Sequence, residues 1–362
     1  MCGIVGYLDK SGAQAALGER LLGMLIALAG RGPDSSGVAI WGPASRGLIV
    51  RVKTAAPGET GAGAGVEVRA ERRRREPAAR RGPNGSRRAA RVPSGGETGV
   101  ARARVSAPDD IARRFGRACA RATQGALVRF EIETADPAEL ARAIEAIGPG
   151  VEVVSMGRRL EIVKQVGAPQ NLEAEFGVSK LIGTHGLGHT RLSTESRVDL
   201  SHSQPFWAHG TPDLAVVHNG HITNYHRLRR MYEQEGVRFY TENDSEIIGI
   251  YVARKLGEGA SLEEALEASV RELDGSFSYL VATADAFGFA KDPFCLKPLI
   301  VGENADAIAI ANEEIALQAA LRGPYTAREA GAGAVAVWKV TPPAASRGRP
   351  PSAPRPPRTV QR

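Results

Sequence analysis

The chain has 362 residues, 43% hydrophobic and 24% charged, with a formal net charge of +7; this is globular composition with length enough for one large or two ordinary cores. It holds no run of 18 apolar residues, and its opening Met1-Cys2-Gly3-Ile4-Val5-Gly6 carries no basic segment ahead of a hydrophobic one. A membrane span and a secretory leader are therefore not expected, and a cytoplasmic location is.

The positive charge is concentrated. Residues 69–121 carry 16 Arg against five acidic residues and residues 341–362 carry five more Arg, which leaves about −9 for the remainder. Attraction to nucleic acid would have to act through those two segments, and they lack interleaved aromatics, so no nucleic-acid partner is expected.

In chain order, residues 2–8 read as a strand, residues 14–29 as a helix and residues 37–41 as a second strand, with Gly30-Arg31-Gly32-Pro33 as the turn between them. Leu17, Leu21, Leu25 and Leu28 recur at spacings of three and four and mark the buried face of that helix. Order then gives way to Gly-, Pro- and Arg-rich sequence over residues 55–125, which reads as a flexible insertion. Within residues 126–179 a small βαββ module is expected, with strands at 126–132, 151–155 and 160–166 and a helix at 137–147. The main body, begun over residues 2–54, resumes over residues 180–340. Strands are expected there at 181–185, 214–218 and 277–283, helices at 225–235, 245–256 and 262–273, and short strands at 299–301, 307–310 and 334–340. Asp244 stands where an N-cap would satisfy the first amides of the 245–256 helix. Residues 341–362, with Pro350-Pro351 and Pro356-Pro357, read as an extended or disordered tail.

Cys2 is the most informative residue. With Met1 removed it carries a thiol and a free α-amine, whose ordinary pKa of about 7.7–8.0 suits a general base at neutral pH. Cys119 and Cys295 lie far away and read as packed thiols, and the wide spacing of all three argues against a disulfide framework or a zinc site. The seven His residues fall between His185 and His226. His185 and His189 have i, i+4 spacing, but Gly186 and Gly188 argue against the helix that would align them, so strand-end or turn positions are expected and no metal is. Residues 58–65 are Gly-rich without the Lys-Ser or Lys-Thr of a phosphate loop.

Four segments in this order resemble class II glutamine amidotransferases, the N-terminal-nucleophile family with a catalytic cysteine. They are Cys2-Gly3-Ile4-Val5-Gly6, Arg31-Gly32-Pro33-Asp34-Ser35-Ser36-Gly37, Gly188-His189-Thr190-Arg191-Leu192-Ser193-Thr194, and His218-Asn219-Gly220 followed by Asp244-Ser245-Glu246. A stretch from Lys291 to Leu299 is similar to a late turn and strand of the same domain. The resemblance covers residues 2–50 and 180–340. It implies an α+β fold, the four-layer αββα sandwich of Ntn hydrolases, in which two antiparallel sheets pack face to face, with the small α/β module inserted.

The same resemblance implies the site. Cys2 would be the nucleophile, its own amine the base, and Arg31 a support; Asn219 and Gly220 would form the oxyanion hole. Arg191 would grip the glutamine carboxylate, Thr194 would add a hydroxyl, and Asp244 would hold the ammonium. Glutamine would pass through a γ-glutamyl thioester to glutamate and ammonia. Leu192 stands where most relatives have an aromatic residue and Cys295 where many have Gly. The Arg-Leu-Ser-Thr-Glu variant is nearest the amidotransferase part of glutamate synthase and N-methylglutamate synthase. This chain is accordingly expected to be a glutaminase subunit that needs no cofactor, with FMN and an iron–sulfur cluster on glutamate-synthase-like partner subunits. The alternatives are a phosphoribosyl-type or other amidotransferase subunit, a stand-alone glutaminase, and a catalytically silent glutamine-sensing module.

Overall fold

A computed structural model describes residues 2–13, 16–54, 118–133, 136–148, 150–193 and 197–341. The expectations for residues 55–117 and for the tail beyond Thr341 lie outside the described residues.

Two antiparallel sheets face each other. The larger uses β1 (Gly3–Asp9), β2 (Ser35–Trp41), β7 (Leu160–Val166), β8 (His185–Arg191), β13 (Ile300–Glu303), β14 (Ala307–Ala311) and β15 (Thr326–Glu329), in the order β15-β13-β14-β1-β8-β2-β7. The second uses β9 (Phe206–Trp207), β10 (Ala215–Ile222), β11 (Gly275–Ala282), β12 (Ala286–Lys291) and β16 (Val335–Lys339), in the order β16-β12-β11-β10-β9. Helices α1 (Leu17–Ala27) and α7 (Glu314–Ala320) cover the outer face of the larger sheet, and α5 (Ser245–Gly257) and α6 (Leu262–Glu272) that of the second. Two further helices, α3 (Gln170–Phe176) and α4 (Tyr225–Gln234), follow β7 and β10. This is the four-layer αββα sandwich. No helix among the described residues is long and apolar enough to cross a membrane.

The layers follow from side-chain periodicity. In α1, Leu17, Leu21, Leu22, Met24 and Leu25 are buried, and each such side chain contributes about 1.5–3 kcal/mol relative to exposure. On β10, Ala215 and Val217 join the core between the sheets, whereas Val216 joins the core under the α5 and α6 helices, the alternation expected of a strand covered on both faces. The sheets approach closely at Gly6, where a Cβ would lie 2.7 Å from Phe287 Cζ. At the start of α6, Ser261 and Glu264 form a reciprocal capping box.

Three expectations shift. The 181–185 strand is displaced, since β8 begins at His185 and runs through Arg191. Asp244 occupies the N-cap position of α5, but its side chain makes no capping bond; Oδ2 accepts instead from Ile222 N at 2.8 Å, tying α5 to β10. The module's elements also distribute between sheets. A third sheet of four strands, β4 (Ala118–Gln124), β5 (Leu127–Ile132), β3 (Leu48–Lys53) and β6 (Glu152–Gly157), has the order β4-β5-β3-β6, and α2 (Pro137–Glu145) packs on β6. β3 therefore comes from the first segment of the chain, while β7 pairs with β2 at the edge of the larger sheet. Glu161 on β7 joins the two sheets by meeting Arg51 of β3 at 2.8 Å and Arg129 of β5 at 2.9 Å. Burial raises the proton affinity of the Glu161 carboxylate, and the two guanidiniums more than reverse this, leaving its pKa below the ordinary value.

His185 is fully buried and stacked on Trp41 with ring centroids 4.7 Å apart. Its Nε2 donates to Thr283 O at 2.8 Å and its Nδ1 accepts from Thr184 Oγ1 at 2.9 Å, so the ring is held neutral. Burial pushes its pKa down to about 3, with the Thr283 bond acting in the opposite direction. Because the folded pKa is depressed, this stabilisation is present above the unfolded value of about 6.5 and fades as pH falls towards 3. Between pH 7 and pH 5, the difference in unfolding free energy between wild type and His185→Phe should shrink by about 2 kcal/mol. Denaturant titrations at the two pH values measure it, and a constant difference would show that the imidazole is not held neutral.

Candidate active site

Strand pairing brings the separated motifs together. Gly3 pairs with Thr190, which sets Cys2 beside Arg191 at the end of the β1 and β8 pair, and Ser35 of β2 pairs with Arg191 from the other side. The turn before β2 is sewn to the same point, with Asp34 N donating to Arg191 O at 3.0 Å and Ser193 N to Asp34 Oδ2 at 2.7 Å. Cys2 is partly buried, with Sγ 3.7 Å from Leu192 O. Arg31 lies behind it in a single 3-10 turn (Ala29–Arg31), donates from Nε to Cys2 O at 3.1 Å, and forms an ion pair with Glu313. Asn312 Oδ1 accepts from Ile4 N at 2.5 Å. The backbone around the thiol is thus held from three directions.

Across the gap between the sheets, β10 carries Asn219 and Gly220. Asn219 is buried, and its Nδ2 has no hydrogen-bond partner among the described residues. A buried amide donor left in that condition costs about 1–3 kcal/mol, and such a donor is suited to a developing negative charge. Gly220 has φ of +143°, and a Cβ there would fall 2.2 Å from Ser276 O, so both conformation and space require glycine.

Cys2, Arg191, Asn219, Gly220 and Asp244 all line one cleft of about 1410 Å³. Arg191 is almost fully buried, and its Nη1 donates to Arg197 O at 2.7 Å. Burial lowers its pKa from the ordinary value, against the opposing influence of Cys2, Asp199 and Asp34. Asp244 stands near two imidazoles, with Oδ1 3.8 Å from His218 Nδ1 and Oδ2 3.5 Å from His221 Nδ1. Arg31 touches the Cys2 backbone from outside the lining. Thr194 lies outside the described residues.

His202, His218, His221 and His226 line the same cleft, whereas His185 stands at the far end of β8 from Arg191. His189 lies inside β8 and His218 inside β10, not at strand ends or turns. His189 Nε2 donates to His218 O at 3.2 Å, and burial pushes its pKa down to about 3. Among the described residues no group of three His, Cys, Asp or Glu side chains is arranged to hold a metal.

Sequence reasoning passed over three groups at the cleft. Glu246 accepts from Tyr240 N, Thr241 N and Thr241 Oγ1 at 2.8–2.9 Å and so shapes the loop ahead of Asp244. The Arg197 carbonyl orients Arg191, and Gln204 bonds to His218. Only Glu246 was visible, as a member of a motif; a backbone carbonyl and a lone Gln before Pro leave no chemical signature in a sequence.

A family model described as a glutamine amidotransferase domain matches residues 189–319. The chain is 35% identical over 333 residues to a putative glutamine amidotransferase of Methanothermobacter thermautotrophicus, covering 88% of this chain and 93% of that one. It is 33% identical over 319 residues to the glutamine amidotransferase-like protein GlxB of Rhizobium meliloti, covering 88% and 91%. Among solved structures, glutamine phosphoribosylpyrophosphate amidotransferase from B. subtilis superposes with a TM-score of 0.52 at 18% identity, over 93% of this chain and 47% of that one, which is likeness of fold.

Gly220→Ala should lower unfolding stability by about 2 kcal/mol or more, since it combines backbone strain with a backbone clash. Denaturant unfolding measures this, and a change within about 0.5 kcal/mol would mean that β10 relaxes freely at this point.

Proposed function

The chain belongs to the glutamine amidotransferase family, and from that premise we propose that it is the glutaminase component, releasing ammonia from glutamine through a γ-glutamyl thioester on Cys2. The observation that carries the reading is the buried Asn219 Nδ2, unpartnered among the described residues and beside Gly220 in the cleft that Cys2 lines. Arg191 and Asp244, of opposite charge, line the same cleft and suit the carboxylate and ammonium of a free α-amino acid.

In the proposed reaction Met1 is removed and the Cys2 amine accepts the thiol proton as sulfur bonds to the glutamine amide carbon. The carbonyl oxygen takes up the electron pair and is held by Asn219 Nδ2 and the Gly220 N–H. Collapse of this intermediate breaks the carbon–nitrogen bond, the protonated amine returns its proton to the leaving nitrogen, and ammonia departs. Water then attacks the thioester, releasing glutamate and restoring the thiol. Arg191 grips the substrate carboxylate, Thr194 adds a hydroxyl, Asp244 holds the ammonium, and Arg31 keeps the Cys2 carbonyl in register.

For the fate of the ammonia, the proposal is delivery to glutamate-synthase-like partner chains in the cytoplasm, with flavin and iron–sulfur chemistry on those chains. The Arg191-Leu192-Ser193-Thr194-Glu195 variant supports it. A phosphoribosyl acceptor is the second reading, supported by 30% identity over 171 residues to the amidophosphoribosyltransferase of Methanocaldococcus jannaschii.

Glutamine-dependent ammonia release should fall by about a thousandfold or more in Cys2→Ala. In Arg191→Lys, loss of paired charged hydrogen bonds worth about 1.5–3 kcal/mol should lower kcat/KM by roughly 10- to 100-fold, chiefly through KM. A coupled glutamate assay reads both. Undiminished release in Cys2→Ala sinks the assignment, and a wild type that binds glutamine without turning it over would point to the sensing module.

A further inference from the structure

The geometry points to Gln204 as the positioning residue of the oxyanion donors, a role that rests on the glutaminase reading and extends it to a residue outside the motifs. The β9 and β10 ladder pairs Trp207 with Ala215 and Phe206 with Val216. Continued in register, it would leave Pro205 and Val217 as a pair that exchanges no backbone bonds and bring Gln204 opposite His218 as the next bonded pair, but the ladder ends at Phe206 and Val216. Backbone pairing stops there, two residues short of His218. The Gln204 side chain takes over: Oε1 accepts from His218 N at 2.7 Å and Nε2 donates to His218 O at 3.1 Å. A primary amide carries one acceptor and two donors in a plane, so it reproduces both halves of a strand pair. Its Nε2 also lies 3.1 Å from Ser245 Oγ, which lies 2.8 Å from His218 Nδ1. The residue so fixed immediately precedes Asn219 and Gly220.

The other end of Gln204 is anchored to the opposite sheet. Lys164 Nζ, fully buried on β7, donates to Ser203 O at 3.0 Å, and Ser203 Oγ donates to Asp199 O at 2.6 Å. Gly37 of β2 lies against the Gln204 backbone so closely that a Cβ there would meet Gln204 O at 2.3 Å. Gln204 is 4% exposed. It therefore bridges the sheet that carries Cys2 and Arg191 and the strand that carries the oxyanion donors, and it sets their separation where a displacement of about 1 Å can cost on the order of 100-fold in rate.

The test compares wild type with Gln204→Leu and with Gln204→Glu, which keeps the acceptor for His218 N and loses the donor. Three measurements are made on the full chain: glutamine hydrolysis, alkylation of Cys2 by iodoacetamide, and hydrogen exchange of the 215–222 amides. Gln204→Leu should lower kcat by roughly 10- to 100-fold with KM within about twofold, leave Cys2 alkylation within about twofold, and speed exchange at His218 at least about tenfold. Gln204→Glu should fall between Leu and wild type in kcat, and it alone decides if the Leu variant does not fold. Unchanged exchange at His218, or a loss of kcat matched by an equal rise in KM, overturns the role. If wild type hydrolyses no glutamine, the glutaminase reading fails separately, and the exchange result still decides whether Gln204 holds the strand.

Discussion

Everything at the site depends on β1 being an interior strand. It is bonded to β8 from Gly3 onward on one side and to β14 from Val5 onward on the other, so the start of the strand cannot move without disturbing its ladder with β8. Arg31 and Asn312 add side-chain bonds to Cys2 O and Ile4 N. Together with the β8 ladder these bonds hold the backbone around the Cys2 thiol in place. That constraint lets a thiol be aimed at a point set by groups on a different sheet.

The second sheet supplies the complement, and the connections between the sheets set the distance. The loop between Arg197 and Pro205 serves both halves, since its Arg197 carbonyl orients Arg191 and its Gln204 amide splints His218. The inserted sheet touches the same loop: Lys53 of β3 donates to Ser201 Oγ at 2.7 Å, and Ser201 Oγ donates to Glu152 Oε2 of β6 at 2.5 Å. A sheet built largely from residues between the quoted motifs thus stands directly behind the cleft. Lys164 beneath the loop has its pKa pulled down by burial to about 8, so its ammonium persists at neutral pH with a small margin.

Much of this was legible in sequence because it is local. The leucine spacing of α1, the apolar runs of β1 and β10, and the helices α5 and α6 lie within a few residues of their expected bounds. Five motif residues scattered from Cys2 to Asp244 do line one cleft. What was not legible is non-local pairing. Nothing in Leu48–Lys53 or Leu160–Val166 tells which sheet each joins, because the choice is made by partners more than 70 residues away in β5 and more than 100 away in β2. Asp244 had the sequence signature of a cap, yet the nearby Ile222 N–H of β10 captured its carboxylate. Gln204 had no signature because its partner is backbone, and backbone is the same at every position.

The central claim is that the Cys2 sulfur forms a covalent bond to the side-chain amide carbon, Cδ, of glutamine. Acid quenching during turnover, followed by proteolysis and peptide mass analysis, tests it most directly. The mechanism requires a γ-glutamyl adduct on an N-terminal peptide that begins at Cys2, abolished by Cys2→Ala. An adduct on Cys295, or steady glutamate release from protein that retains Met1, would contradict it.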